Sequence, residues 1–207
     1  MNIIDISWPI IAGMTEYKNR ASVQIKKLKS VVHDRIAESE ICLHSHTGTH
    51  IDAPSHFLND GKTIENVSLD SLVGSCRVID LMHVKDAITR SDIETHEIKN
   101  GERILLKTKN SEHSFTEPFD ASFIYLAADA ARFLIDKKIK TIGIDYLGIE
   151  RAQPKHDTHE SLMKADITII EGLRLEHVPA GNYELYCLPL LMPGIDAAPA
   201  RAILMKR

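Results

Sequence analysis

The sequence has few cysteines and no long apolar segment. Its three cysteines, Cys42, Cys76 and Cys187, are far apart and form no Cys-x-x-Cys pair. An odd and dispersed set argues against a disulfide framework and against a thiolate zinc site, and it is typical of a reducing compartment. The longest apolar run without charge, residues 185–195, contains two prolines. It is too short for a membrane span, which needs about 20 residues.

An excess of positive charge is also absent. The chain has 25 Lys and Arg against 29 Asp and Glu, a net charge of −4. We therefore expect no nucleic-acid partner and no membrane partner, but a small-molecule substrate. The first five residues carry no basic side chain, so a signal peptide is not expected and the predicted location is cytoplasmic. The length corresponds to about 1.4 typical domains, which predicts a single domain spanning 1–207.

Short β-branched runs outnumber the helical patterns. Helical spacing is clear only over 127–137, while a Ser91-to-Glu94 capping box and residues 159–165 predict two shorter helices. This irregular alternation favours a compact, β-rich α/β domain with a few short helices over a doubly wound sheet. The polar stretch 107–118 is typical of a long surface loop. The predicted strands are 3–7, 22–28, 40–45, 76–81, 103–108, 141–145, 166–171, 183–188 and 201–205.

Histidine is the residue type that the sequence has in excess. Of eleven histidines, four lie in residues 44–56, in the string His-Ser-His-Thr-Gly-Thr-His-Ile-Asp-Ala-Pro-Ser-His. An apolar strand leads into this segment, a turn at Gly48 would bring His46 back, and His50 and Asp52 share one face of an extended chain. Two imidazoles and a carboxylate suit Zn²⁺ or Mn²⁺ rather than Ca²⁺, which prefers oxygen ligands. The alternative interpretation is a histidine-rich surface turn without a metal.

The same segment carries a family resemblance. The string His46-x-Gly-Thr-His-x-Asp-Ala-Pro-x-His-Phe57 is similar to the signature of the metal-dependent cyclase and kynurenine formamidase family. The resemblance extends over nearly the whole chain, and it implies a fold of the swivelling β/β/α type. It also implies a homodimer whose partner chain helps to line each site. The other matching segments are 5–7, 9–10, 13–14, 143–145, 170–173, 178–185, 188–190 and 196–202.

This resemblance implies a binuclear site with two Zn²⁺ per subunit, or with Mn²⁺ as the alternative metal. In the family, the equivalents of Asp52 and Glu171 bridge the two metals, and the first metal also takes two histidines of the signature. His156 and Asp157 stay open as alternatives to His159. The residues that match the family's site are the metal ligands His46, His50, Asp52, His159 and Glu171, the acid/base residue His56 and the substrate-stacking Tyr17.

The resemblance also implies a hydrolase that acts on non-peptide C–N bonds. In such an enzyme the metals activate a water whose hydroxide attacks an amide carbonyl, while His56 relays a proton to the leaving nitrogen. The sequence has no Gly-x-Ser-x-Gly elbow that would offer a competing nucleophile. The expected activity is that of an arylformamidase of tryptophan catabolism. Two alternatives stay open: an isatin hydrolase or other ring-opening or cyclase enzyme, and a protein that keeps the metal without catalysis.

The residues expected around the substrate depart from the formamidase pattern. Tyr17 retains the aromatic residue that stacks on the substrate in such relatives, but residues 18–20 (Lys-Asn-Arg) replace the Pro-Gly-Asp that follows it. Residues 146–148 (Tyr-Leu-Gly) replace small residues and a proline. Lys18 or Arg20 is a candidate partner for a substrate carboxylate, and solvated loop charges are the alternative. The exact substrate therefore stays open.

Overall fold

Strands dominate the computed structural model, which describes residues 2–206 without the side chain of Pro154. No helix in this range is long and apolar enough to cross a membrane. The helices are α1 (Val31–Asp34), α2 (Leu69–Leu72), α3 (Arg90–Ile93), α4 (Ala128–Asp136) and α5 (Asp157–Lys164). The strands are β1 (Asn2–Asp5), β2 (Gln24–Lys29), β3 (Glu38–Cys42), β4 (His50–Asp52), β5 (Val73–Asp80), β6 (Ala87–Ile88), β7 (Arg103–Lys107), β8 (Tyr125–Leu126), β9 (Thr141–Ile144), β10 (Thr168–Glu171), β11 (Gly181–Pro189) and β12 (Ala197–Lys206).

Seven of these strands close into a barrel. Their hydrogen-bonded order is β12–β11–β5–β7–β9–β10–β4, and β4 pairs back with β12 to complete the ring. The pairs from β5 to β10 are parallel, and the other ring pairs are antiparallel. β1 and β4 lie on the same edge of β12: β4 pairs with the first residues of β12, and β1 pairs with its last residues. The prediction of a β-rich, mixed α/β domain with a few short helices is confirmed.

The ring strands divide their side chains between two apolar clusters. Ile51 and Ile170 belong to the cluster that fills the interior of the barrel. Ile169, one position along β10, belongs to a second cluster with Leu134 of α4 and Leu162 of α5. Because successive side chains of a strand point to opposite faces, the neighbours of Ile51 on β4 face the helical layer. The functional side chains therefore lie outside the barrel, between its wall and α5.

The strand predictions are confirmed to within a few residues at each end, but three short strands were not predicted. These are β4, β6 and β8. β4 lies within the histidine segment. Its three residues were not predicted as a strand because they are surrounded by glycine, proline and polar residues, which are not typical of strands. The strand predicted at 40–45 is β3, which ends at Cys42, just before the histidine segment, and pairs with β2 in an exposed hairpin.

The predicted capping box before α3 is wrong by two residues. Thr89 and Asp92 form the box, with the Thr89 N–H donating to the Asp92 carboxylate at 2.7 Å. The Ser91-to-Glu94 pattern satisfies the same spacing rule, but the helix has already begun at that point. The pairs Thr89–Asp92 and Ser91–Glu94 overlap in sequence and have the same spacing, so the structure is needed to decide which pair forms the capping box.

The segment 107–118 is not simply a surface loop, as its composition suggested. Thr108 and Ser111 are buried, and both hydroxyls donate to the buried carboxylate of Asp145 at 2.8 Å. The Thr108 N–H donates to the same carboxylate at 2.7 Å. Burial raises the pKa of Asp145 to about 6 although these donors oppose the shift. The polar residues of the segment thus solvate an internal carboxylate.

We expect Asp145→Asn to change the pH dependence of stability. Because the folded-state pKa lies above the ordinary value of 3.8, the folded protein keeps a proton that the unfolded chain releases as pH rises from about 4 to about 6. The contribution of Asp145 to wild-type stability should therefore fall through this window by about 3 kcal/mol, for a shift of roughly two units. The variant lacks this dependence. Urea unfolding between pH 4 and pH 7 measures the difference.

The exposed Asp60 provides the control, since Asp60→Asn should follow the wild type at every pH. The free-energy difference between wild type and Asp145→Asn should move in favour of the variant as pH rises. A difference that is independent of pH would contradict the assigned protonation of Asp145.

Candidate metal centre

Strands β4 and β10 form the base of the candidate site. In their antiparallel register His50 lies opposite Glu171, and Asp52 lies two positions along β4 on the same face. Gly172 directly follows β10 with φ +70°, and a Cβ at this position would lie 2.2 Å from the Gly48 carbonyl oxygen. Only glycine permits this close approach. It places the turn at Gly48 against the end of β10.

The carboxylate of Asp52 is the centre of the cluster. Its oxygens lie 2.9 Å from His46 Nδ1, 3.4 Å from His50 Nε2 and 3.7 Å from His159 Nε2. The Glu171 carboxylate lies 3.4 Å from His50 Nε2 and 3.2 Å from His159 Nε2. The structure thus brings together all five residues that were predicted as metal ligands.

Protons and charge at this cluster are governed by the two carboxylates. Burial lowers the pKa of His50 and His159, but the close approach of neighbouring carboxylates outweighs burial and raises each pKa to about 10. Burial would raise the pKa of Asp52 and Glu171, yet the histidines hold the pKa of Asp52 well below its usual range and that of Glu171 at about 2. A site with two ionised carboxylates favours positive charge, supplied either by protons or by a metal cation.

Orphaned polar atoms show that the cluster fits a metal. His50 Nε2 and both carboxylate oxygens of Asp52 are buried without a partner in hydrogen-bonding geometry among the described residues. Mixed nitrogen and oxygen donors suit a divalent transition metal. Three sets of side chains lie close enough to hold a cation, and the first two share Asp52: His46–Asp52–His56, His50–Asp52–Glu171 and Glu150–His156–His159.

Glu150 is a site residue that the sequence did not reveal. Its buried carboxylate accepts the N–H groups of Thr158 at 3.1 Å and His159 at 3.0 Å, in the first turn of α5, and lies 3.2 Å from His159 Nδ1. It also lies 2.6 Å from Nδ1 of the exposed His156. Glu150 therefore fixes the start of α5 and turns His159 Nε2 towards Asp52. No spacing rule connects Glu150 to the histidine segment.

Asp196 is a second residue that was missed. Its carboxylate lies 2.9 Å from His46 Nε2 and 3.4 Å from His56 Nδ1, and the Ser45 hydroxyl donates to it at 3.2 Å. Pairing of β4 with β12 brings Asp196 to this position, since Ala197 lies opposite Asp52. The His46 and His56 rings are 4.1 Å apart, so one carboxylate orients both histidines. The matched segment 196–202 was the available signal, but it carried no indication of this contact.

A pocket of about 230 Å³ opens onto the cluster. Tyr17 and His56 line it together with His159, and Leu147 forms part of the wall. Tyr146 instead turns into the aromatic core and is buried. Two segments that depart from the formamidase pattern therefore border the pocket. They are the loop of Tyr17 and the residues after Tyr146.

A larger cavity of about 510 Å³ is a weaker candidate for the site. It is bordered by residues 62–71, 135–140 and 163–168, and it shares only Asp52 with the metal cluster. None of the clustered histidines lines it. Convergent ligating side chains rather than volume select the smaller pocket.

Comparison with known proteins identifies the family of this chain. The model of the Cyclase family, described as "Putative cyclase", matches residues 4–151. A kynurenine formamidase from Bacillus anthracis is 34% identical over 203 residues, which cover 97% of this chain and 96% of the relative. The chain belongs to the cyclase family. The resemblance that the histidine signature indicated is confirmed.

Solved structures of similar chains share the architecture of this cyclase-family protein. One described as a "Potential Metal-Dependent Hydrolase With Cyclase Activity" is 47% identical, with a TM-score of 0.91 and coverage of 100% of this chain and 98% of that one. An isatin hydrolase bound to the product analogue thioisatinate is 23% identical, with a TM-score of 0.85 and coverage of 98% and 91%. At that identity the isatin hydrolase shows a likeness of fold alone.

We expect Glu150→Gln to weaken Zn²⁺ binding by about 10- to 100-fold, because the amide no longer offers a charged partner to His159. Zinc retained after dialysis against graded chelator concentrations measures the affinity, and circular dichroism reports whether the fold is kept. Glu160→Gln is the matched control, since Glu160 lies on the same helix and pairs with Lys164 at the surface. Equal zinc affinity in both variants would contradict the role of Glu150.

Proposed function

We propose that this chain is a metal-dependent hydrolase that cleaves the amide C–N bond of a small aryl formamide. The proposal is carried by one observation: three histidines and two carboxylates converge at the base of a pocket that an aromatic ring lines. The kynurenine formamidase relative supports an aryl formamide as the substrate class. N-formylkynurenine is therefore the first substrate to test.

The cluster is proposed to hold two Zn²⁺, with Mn²⁺ as the alternative. His46, His50 and Asp52 would hold one ion, and His159 and Glu171 would hold the other. Asp52 lies between histidines of both sets, so its carboxylate is suited to serve both ions. When bound, the metals would supply Lewis acidity and a water of lowered pKa.

The protein's own side chains are proposed to transfer the proton that the reaction requires. Hydrolysis forms a C–O bond at the amide carbonyl, breaks the C–N bond and delivers a proton of the water to the leaving nitrogen. An arylamine and formic acid are released, and the acid loses its proton to solvent to give formate. His56 lines the pocket, and Asp196 holds its Nδ1 from 3.4 Å away, which leaves Nε2 for the substrate. General acid/base catalysis of this kind contributes about 10²- to 10⁴-fold to the rate.

Tyr17 is proposed to position the aromatic ring of the substrate. Its half-buried ring packs edge-on against Phe119, with centroids 4.8 Å apart, and lines the pocket. Burial, and after it the negative charge of Glu171, raises the pKa of the Tyr17 hydroxyl, which therefore stays protonated and able to donate. An apolar ring face with a hydrogen-bond donor suits an aromatic amide.

A hydrolysis panel tests the proposed function. Metal-free protein, with and without added Zn²⁺ or Mn²⁺, is assayed on N-formylkynurenine, N-formylanthranilate and isatin by absorbance. Turnover of a formamide by the metal-loaded protein alone is the expected result. Failure of every metal-loaded sample on all three compounds would refute the proposal and favour a protein that keeps the metal without catalysis.

Opening of a cyclic amide such as isatin is the second candidate. The small volume of the pocket, about 230 Å³, favours it, because a fused bicyclic amide is compact. Turnover of isatin without turnover of either formamide would select this candidate.

We expect His56→Ala to retain both metals and to lose about 10²- to 10⁴-fold in turnover, because the substrate loses its proton carrier while the five ligands remain. Metal content by atomic emission and kcat on the best substrate of the panel provide the two measurements. His177→Ala, at a side chain that is 87% exposed, is the control and should resemble the wild type in both. Loss of metal from His56→Ala would instead identify His56 as a ligand.

We further propose a homodimer that forms through the hairpin of β2 and β3. Every residue of both strands and of the connecting α1 is exposed. Among these, Val32 is 87% exposed, Val31 65% and Ile41 59%. Burial of such apolar surface against a second copy is favourable by about 25 cal/mol per Å². Contribution of the partner chain to the site remains a prediction from the family resemblance.

We expect Val32→Asp to convert the dimer into a monomer, because a charge at the most exposed apolar position of the hairpin would be buried unpaired. Size-exclusion chromatography with light scattering measures the mass. Leu69→Asp is the control, since Leu69 is 60% exposed on α2, outside the hairpin. A monomeric wild type would contradict the proposal.

The proposal also includes a metabolic role, a cellular location and a fold type. We expect an enzyme of tryptophan catabolism in the cytoplasm, with the catalytic domain spanning 1–207 and a fold of the swivelling β/β/α type. The scattered cysteines and the near balance of charge support this setting.

A further inference from the structure

The loop that carries Tyr17 is held in place as part of the pocket wall. The buried carboxylate of Glu16 accepts hydrogen bonds from both the backbone N–H and the hydroxyl of Ser22, which closes the loop on itself. Asn19 donates its N–H to the Glu16 carbonyl at 2.8 Å, and its side-chain oxygen accepts the N–H of Phe119 at 2.7 Å. Residues 16–22 are therefore tied both to themselves and to the chain segment that carries Phe119.

This loop presents two cations to the pocket. Lys18 and Arg20 both line it, with Lys18 Nζ 5.4 Å and Arg20 Cζ 5.9 Å from the centroid of the Tyr17 ring. Neither cation forms an ion pair with any residue in 2–206. Lys18 has φ +54°, a left-handed conformation that a residue with a Cβ rarely adopts. Two cations without an ion pair in the wall of a pocket are available to an anionic ligand.

We propose that Lys18 and Arg20 bind a carboxylate of the substrate, and that the substrate is a one-ring aromatic amide with net negative charge. The inference rests on the proposed hydrolysis of aryl formamides and narrows its substrate class. Arg and Lys beside the Tyr17 ring attract a carboxylate and repel an ammonium group. A pocket of about 230 Å³ is below the usual range for larger ligands, so a single ring with short substituents fits best.

The negative and the positive side chains then lie in different parts of the pocket. The carboxylates of Glu150 and Glu171 line the pocket beside His159, where the metal cluster lies. The two cations lie beside Tyr17, in the loop that precedes the hairpin. A substrate bound in this way would place its carboxylate beside the cations and turn the neighbouring amide towards His56. N-formylanthranilate has this charge, whereas N-formylkynurenine carries an additional ammonium that cancels it.

The selectivity for charge tests the inference. We compare kcat/KM for N-formylanthranilate with kcat/KM for neutral formanilide in the zinc-loaded wild type, Lys18→Gln and Arg20→Gln. The anion-to-neutral ratio should fall about tenfold in each variant, through KM, since each removes one charge-assisted contact. The ratio should also fall with added salt in the wild type, because screening weakens only the charged contact. Arg132→Gln, at an exposed cation of α4, is the control and should keep the wild-type ratio.

A binding measurement separates this inference from the proposed catalysis. The intrinsic fluorescence of anthranilate reports its Kd for the zinc-loaded protein, and Arg20→Gln should weaken binding about tenfold. If the wild type hydrolyses none of the formamides, the proposed function fails, while an Arg20-dependent Kd would still support the carboxylate contact. An unchanged selectivity ratio and Kd in both variants would overturn the inference. A wild type that prefers N-formylkynurenine to N-formylanthranilate by tenfold or more would also overturn it.

Discussion

The buried carboxylate of Asp52 is the constraint on which the rest of the site depends. A carboxylate without water or charge partners is costly inside a protein, so the fold must supply compensating groups from several directions. It does so with His46 from the turn before β4, His50 from β4 itself and His159 from α5. None of these contacts satisfies the Asp52 oxygens in hydrogen-bonding geometry. The arrangement is therefore polar, preorganised and incomplete, which is the condition in which a cation binds most favourably.

Two further carboxylates hold the histidines of this arrangement in position. Glu150 holds His159 by its backbone N–H and approaches its Nδ1, and Asp196 lies between His46 and His56. Each anchors a histidine on a different element, α5 in one case and the turn before β4 in the other. Metal-ligating imidazoles generally need such a partner on the second nitrogen, because it fixes both tautomer and ring direction. The ligands and their supports therefore form one connected network rather than a list of independent contacts.

The parts of this network that could be predicted from the sequence are those that depend on local spacing. His50 and Asp52 are two residues apart, and strand geometry alone puts them on one face. His159 and Glu171 could be assigned only through the family resemblance, because α5 and β10 meet β4 through tertiary packing. The contacts of Glu150 and Asp196 could not be predicted, although Asp196 lies in the matched segment 196–202, since a carboxylate that supports a histidine from a distant element has no characteristic spacing. The same cause explains segment 107–118, where polarity indicated solvent but the partner was the internal carboxylate of Asp145.

The shortness of β4 has a further consequence. Its three residues pair with β10 on one edge and with β12 on the other, so this strand alone closes the ring. Three residue pairs hold it on each edge, half of the six pairs that hold β11 to β12. The same strand carries two of the proposed metal ligands, and the others lie on or beside the elements that it joins. Opening of the barrel and emptying of the cluster are therefore one event: local unfolding that begins at this seam separates His50 from Glu171 at the moment the ring parts.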